Sequence, residues 1–276
     1  MTTIRECRLA AAACGIDGLE ADLLLGHVLG RGRGWLFAHA GDDLDAGAEA
    51  GFAGLIERRR AGEPVAYLLG HWGFWSLDLE VSVATLIPRV ETELLVELAL
   101  RHLPAPGNPI HLADLGTGSG AVALALAGER PDVKVAALDL SAEALAVAQR
   151  NMRRLRLDNV DLVRGNWLAP LLPGRFNMVV ANPPYIEAGD AHLRRGDLRF
   201  EPLAALVSGA DGLDAIRAIV GTAFACLEPG GWLLFEHGVA QGPASRALLT
   251  RAGYTEVATM QDLEHRDRVS VGRRPA

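Results

Sequence analysis

From Ile110 to the end of the chain, short apolar runs alternate with helical patterns. Few folds other than an open, mostly parallel sheet covered by helices accommodate that order. "IHLADLG" reads as a strand and "SGAVALALAG" as a helix. "VKVAALDL" is the next strand, and "SAEALAVAQRNMRRL" a helix with Ser141 as its N-cap. "VDLVRG" and "FNMVVAN" are strands, "GLDAIRAIVGTAFACL" a helix, "GGWLLFEHG" a strand and "GPASRALLTRAG" a helix. "YTEVATMQD" and "DRVSVGRR" close the chain as two strands near enough in sequence to pair antiparallel.

The first part of the chain has a different period. "GLEADLLLGHVLG" spaces Leu19, Leu23, Leu24 and Val28 as a helix ending at Gly30, and "EAGFAGLIERRRAG" does the same with Phe52, Leu55 and Ile56. "FWSLDLEVSV" then alternates Leu77, Leu79, Val81 and Val83 with polar residues, a strand signature. "PRVETELLVELALRHL" restarts a helix, with Pro88 near its start and Glu91 and Glu93 placed to favour the helix dipole. A Pro/Gly loop over 103–109 precedes the first strand of the alternating region. This predicts a helical domain over 1–66, of a kind that usually docks a partner or packs, a β-hairpin linker over 67–88, and an α/β domain over 89–276.

In open α/β sheets, ligands bind beyond the carboxyl ends of the strands. After the first strand stands "DLGTGSGA", where Gly116, Gly118 and Gly120 allow a tight turn and close backbone approach, with Thr117 and Ser119 between them. The run fits a loose dinucleotide fingerprint. Asp114 argues against a pyrophosphate, which it would repel, and suits an ammonium group. After the second strand, Asp139 is placed to take ribose hydroxyls, or else to help cap the next helix. After the third, Trp167 can lie on a purine face or belong to the core.

After the fourth strand comes "NPPY". Asn182 carries both an acceptor and a donor, Pro183 keeps a carbonyl but has no N–H, and Tyr185 offers a flat wall behind Pro184. Two acceptors and a wall suit a planar –NH₂ group: an amide, or the exocyclic amine of a base.

With 27 Lys and Arg against 34 Asp and Glu, the net charge is −7, the opposite of a general nucleic-acid binder. Three scattered cysteines make no disulfide framework, no Cys/His group has metal spacing, and no metal is expected. Neither a signal peptide nor a membrane span is legible, so a cytoplasmic protein is expected.

On these motifs the chain resembles the class I S-adenosylmethionine-dependent methyltransferases, and within them the release factor glutamine methyltransferases (the PrmC/HemK family). The likeness runs through "GEPVAYLLG", "LIPRVETELLV", "DLGTGSG", "NPPYI", "FEP" with Ala205 and Leu206, and "DLEHRDR". It departs at Val90, Asn166 and His237. The resemblance implies a seven-stranded Rossmann-like sheet with its last strand antiparallel, and S-adenosylmethionine as methyl donor. It implies N5 methylation of the glutamine in the Gly-Gly-Gln loop of class I release factors; charge and hydropathy lead us to expect no direct nucleic-acid or membrane binding, and a monomer is expected. Asp114, Gly116, Thr117, Gly118, Ser119, Gly120, Asp139, Trp167 and Asn182 would bind the cofactor. Asn182, Pro183, Pro184 and Tyr185 would hold the acceptor, with Asn182, Pro183 and Tyr185 catalytic. A ribosomal-protein glutamine methyltransferase shares most of these motifs, and an N6-adenine or N2-guanine nucleic-acid methyltransferase shares "NPPY". A docking protein without cofactor and a dinucleotide oxidoreductase complete the alternatives; the latter leaves "NPPY" without a role.

Overall fold

The computed structural model describes residues 2–107, 109–169 and 171–276, so Asn108 of the Pro/Gly loop lies outside the described residues. The chain forms two compact units. One comprises the residues up to His71 together with His192–Phe200, and the other Trp72–Ala191 and Glu201–Ala276.

The first unit is helical: α1 (Ile4–Ala13), α2 (Gly18–Leu29), α3 (Arg33–Ala38), α4 (Ala46–Arg60) and α5 (Val65–Leu69). Three of its helices, α1, α2 and α4, start where side chains satisfy free N–H groups. Thr3 and Glu6 form a capping box, Asp17 accepts from Leu19 N, and Asp45 accepts from Ala48 N. α2 contacts α1, α3, α4 and α5, so its buried arc is wider than one stripe. Ala21, Leu24 and Leu25 are buried, whereas Leu19, read from the sequence as part of the apolar face, is exposed. Asp22 is also buried on this helix, held by Arg8 at 2.6 Å and Arg33 at 3.3 Å. Residues 192–200 join this unit through Arg59, which bonds Glu20 and Asp197, each at 2.8 Å, and through Arg199, which donates to the Ala61 carbonyl.

The hairpin is shorter than the sequence pattern suggests: β1 (His71–Phe74) and β2 (Leu77–Glu80). Tyr67 lies ahead of it in α5, which opens after Pro64 and closes at Gly70, a left-handed residue with φ 75°. Beyond β2 the chain runs without strand to a 3₁₀ turn at Val90–Thr92, so α6 (Glu93–His102) begins one turn later than "PRVETE" suggests.

The remaining elements follow the predicted order: β3 (Ile110–Leu115), α7 (Ala121–Glu129), β4 (Val133–Asp139), α8 (Ala142–Leu155), β5 (Val160–Arg164), β6 (Phe176–Ala181), α9 (Asp214–Cys226), β7 (Leu227–Glu236), α10 (Gly242–Arg251), β8 (Thr255–Gln261) and β9 (Asp267–Arg273). The seven-stranded sheet has the order β5-β4-β3-β6-β7-β9-β8. β9 lies antiparallel between β7 and β8, as the resemblance implies. Alternate strand residues feed two cores. On one face Leu112, Val135 and Val180 pack with Leu95 and Val96 of α6 and Val122 to Ala127 of α7. On the other, Ala113, Leu115, Val179 and Phe235 pack with Ile216, Ile219 and Val220 of α9. Burying each such Leu or Val contributes about 1.5–3 kcal/mol. The order reverses at β3, whose neighbours are β4 and β6, and this switch point opens the crevice where ligands sit in such sheets. No described helix is long and apolar enough to cross a membrane.

Candidate active site

A cavity of about 590 Å³ lies at that crevice. Asp114, Gly116, Thr117, Gly118, Ser119, Asp139, Trp167, Asn182 and Pro184, all singled out in the sequence, line it. Gly120, Pro183 and Tyr185 do not.

The glycine loop is held from below. Gly116 N and Thr117 N both donate to the Leu138 carbonyl, and Asn151, fully buried on α8, donates to the Ser119 carbonyl at 2.9 Å. Gly116 and Gly118 take φ of 72° and 58°, the left-handed region where a side chain is strained. A Cβ on Gly118 would meet open space, so the bare backbone faces the cavity there. Gly120 serves packing instead: a Cβ would stand 2.8 Å from Leu124 Cδ1 and 3.5 Å from the Ala148 Cβ.

Two carboxylates flank the loop. Asp139 Oδ2 accepts from Gly118 N and its Oδ1 from Ser141 N, both at 2.9 Å. Ser141 itself caps α8 by accepting from Ala144 N, so Asp139 is not needed as the cap. Asp114 is buried, and its Oδ2 accepts from the Thr117 hydroxyl at 2.6 Å. Burial pushes its pKa up to about 7, against the pull of the Thr117 hydroxyl and the Ala123 N–H, with Asp139 adding to the rise. Trp167 belongs to the core and also lines the cavity. It packs on the core beneath α9, and its Cζ3 would be 3.5 Å from a Cβ on Gly116.

Asn182 lines the cavity just past β6. Its Nδ2 donates to Thr92 Oγ1 at 3.0 Å, and Thr92 donates to Glu236 Oε2 at 2.7 Å. Among the described residues no donor reaches Asn182 Oδ1 or the Pro183 carbonyl. Pro183 is buried. Tyr185 turns its hydroxyl onto Glu236 Oε1 at 3.2 Å, and its backbone carbonyl accepts from Gln241. Burial, with the charge of Glu236, pushes the Tyr185 phenol well above its ordinary range. Pro184 therefore supplies the cavity wall that the sequence assigns to Tyr185.

Thr92 and Glu236 had no assigned role in the sequence. Glu236 has the signal that exposed Asp139, a carboxylate at the carboxyl end of a strand. Thr92 sits inside "ETE", and the structure accounts for the surrounding motif. Buried Glu201 of "FEP" accepts from Ile87 N at 3.0 Å and pairs with Arg89. Glu93 accepts from Trp75 N, and Glu91 lies 3.7 Å from Arg266 of "DLEHRDR". His237, a departure from the family pattern, is buried and bonded to Gly238 O and Ser270 Oγ, away from the cavity lining.

Residues 6–70 match the family model of the PrmC N-terminal domain, and residues 92–197 that of the methyltransferase small domain. The release factor glutamine methyltransferase of Xylella fastidiosa is 55% identical over 267 residues, which cover 97% of each chain. The Escherichia coli protein of the same name is 46% identical, over 92% of this chain and 91% of its own. A methyltransferase structure from Pyrococcus furiosus matches with a TM-score of 0.52 at 20% identity, covering 72% of this chain and 90% of that one, a likeness of fold alone. With relatives at this identity along nearly its whole length, the chain belongs to the release factor glutamine methyltransferase family.

Proposed function

We propose that the protein transfers a methyl group from S-adenosylmethionine to the side-chain nitrogen of the glutamine in the Gly-Gly-Gln loop of class I release factors. The observation that carries this reading is Asn182 in the lining of a glycine-loop cavity flanked by two carboxylates, its Nδ2 bonded to Thr92 and its Oδ1 without a donor among the described residues, with the buried Pro183 carbonyl next along the chain as a second acceptor.

The donor set fits the cofactor. Asp139 suits the ribose hydroxyls, Asp114 the ammonium group and Trp167 the adenine, while unhindered backbone at Gly118 allows close approach. When bound, S-adenosylmethionine supplies an electrophilic methyl group on a positively charged sulfur. An amide nitrogen is a weak nucleophile because its lone pair is delocalised into the carbonyl. Asn182 Oδ1 and the Pro183 carbonyl each accept one N–H of the glutamine amide. This fixes the nitrogen's orientation and stabilises the positive charge that grows on it during transfer. Pro184 bounds the amide from the cavity side, and Tyr185, anchored at both its hydroxyl and its carbonyl, holds the "NPPY" turn in place. No strong base is required first, since the extra proton leaves after the nitrogen has reacted.

Radiolabelled transfer onto purified release factors, with peptide mapping, tests the reading. Label is expected on the Gly-Gly-Gln glutamine and none on a Gln→Glu factor, which has no N–H₂ to align. Label on nucleic acid or a ribosomal protein, with none on the factor, overturns it. The helical domain over 1–66 is the proposed dock for the body of the factor. Phe37→Ala, at an exposed ring of that domain, should then slow methylation of the intact factor and spare a free Gly-Gly-Gln peptide. Equal rates on both substrates would reject the docking role.

Asp114 gives a pH prediction. Burial holds its pKa up at about 7, and an ammonium partner requires the ionised form. The bound-state pKa is therefore lower, binding releases a proton, and affinity rises with pH up to about 7. Below that midpoint affinity falls about tenfold per pH unit. Above about 8 the ligand's own amine deprotonates and affinity falls again. Calorimetry with S-adenosylhomocysteine from about pH 5.5 to about 7.5, in two buffers of different ionisation enthalpy, measures both slope and proton release. A flat profile would rule out the ammonium role.

A further inference from the structure

Glu236 ends β7, whose Phe235 pairs with Ala181, the residue before Asn182. The Glu236 side chain is buried, and each of its oxygens is met by a hydroxyl: Oε2 by Thr92 at 2.7 Å and Oε1 by Tyr185 at 3.2 Å. A carboxylate has no hydrogen to give, and a hydroxyl has only one. The Thr92 hydrogen is thus committed to Glu236, and the Thr92 oxygen can meet Asn182 only as an acceptor. Only the –NH₂ end of the Asn182 amide satisfies that contact, at 3.0 Å.

We propose that Glu236 is a positioning residue that sets the polarity of the acceptor site, acting through Thr92 to make Asn182 present its carbonyl, rather than its –NH₂, to the substrate. The inference rests on the glutamine-amide reading above. A reversed Asn182 amide would face the substrate –NH₂ with a second –NH₂, donor against donor. Without the carboxylate the two orientations become nearly equivalent. The charged and titratable groups facing Glu236 are Arg268 of β9, Tyr185, and Glu91 of the 3₁₀ turn before α6. Burial raises the Glu236 pKa, while the Thr92 hydroxyl, Arg268 and Tyr185 oppose the rise and Glu91 adds to it. Protonation places a hydrogen between Glu236 and Thr92, frees the Thr92 hydrogen, and erases the polarity.

Glu236→Gln tests this, because its –NH₂ can donate to Thr92 and release the Thr92 hydrogen toward Asn182 Oδ1. With saturating S-adenosylmethionine, kcat on the release factor should fall about tenfold or more while cofactor affinity stays within about twofold. In an Asn182→Asp background the side chain has two equivalent oxygens and no polarity to set. There Glu236→Gln should cost less than about twofold. Thr92→Ser should keep the rate and Thr92→Val lose it, a pair that stands even if the Glu236 variant does not fold. The kcat profile of the parent protein should carry an acid limb that survives cofactor saturation, unlike the Asp114 limb. Wild-type kcat in Glu236→Gln, or equal losses in the parent and Asn182→Asp backgrounds, overturns the proposal. Label on a different acceptor in the parent protein instead refutes the glutamine reading, and the same cycle run on that acceptor still decides the role of Glu236.

Discussion

Asn182→Ala should reduce kcat for release factor methylation by about 10²–10³, the range seen when one preorganised partner of a developing charge is removed. Cofactor affinity should fall far less than the rate, because the glycine loop and Asp139 are held by contacts that do not involve Asn182. The loss falls on kcat because the N–H bonds to Asn182 Oδ1 strengthen as charge develops on the nitrogen. Asn182→Asp keeps an acceptor oxygen but sets a second carboxylate near Glu236, with Thr92 Oγ1 between them at 3.0 and 2.7 Å. Partial activity is expected there. Single-turnover rates at saturating cofactor, paired with calorimetric affinities, separate the two effects. A near wild-type rate in Asn182→Ala would remove Asn182 from the reaction.

Much of the fold was readable because its elements obey local rules. The central strands β3 and β6 are largely apolar runs buried at nearly every residue, Ser141 caps the helix it precedes, and the glycines that look special take left-handed φ. Local pattern misleads where tertiary contacts override it. Leu19 has helical spacing but faces away from its neighbours, since four helices contact α2 elsewhere. Tyr67 borders a strand-like run, yet Pro64 and Gly70 delimit a one-turn helix around it. Residues 192–200 follow "NPPY" closely in sequence, but Arg59 and the Ala61 carbonyl bind them into the helical unit.

The site was legible by a positional rule: residues just beyond the carboxyl ends of strands line the crevice. That rule found Asp114, Asp139, Trp167 and Asn182, all of which line the cavity. It assigned nothing to Thr92, which is on no strand and reaches Glu236 across 144 positions of sequence. It also passed over Asn151. A polar residue on an amphipathic helix reads as a solvent position, yet Asn151 is fully buried and joins the Ser119 carbonyl to the Glu80 backbone. Tyr185, which the pattern makes a cavity wall, does not line the cavity: the partner that holds its hydroxyl comes from a strand two elements later.

Asp139→Ala should weaken S-adenosylmethionine binding by about 10- to 150-fold, the equivalent of one charge-assisted hydrogen bond at about 1.5–3 kcal/mol. The upper part of that range is favoured by a second effect. The same carboxylate accepts from Gly118 N and Ser141 N, so its removal leaves two N–H groups at the cavity edge without their partner and loosens the loop that the ligand must meet. Asp139→Asn keeps one acceptor oxygen, so it can hold one of those N–H groups and one hydroxyl, and should fall between. Asp139 also raises the Asp114 pKa, so both variants should move the acid limb of cofactor binding to lower pH, a change that simple loss of a contact would not produce. Calorimetry across pH reads affinity and midpoint together, and circular dichroism checks that the fold persists. Binding within about twofold of the parent protein, with an unmoved midpoint, would remove Asp139 from the cofactor site and leave it as a loop-bracing residue only.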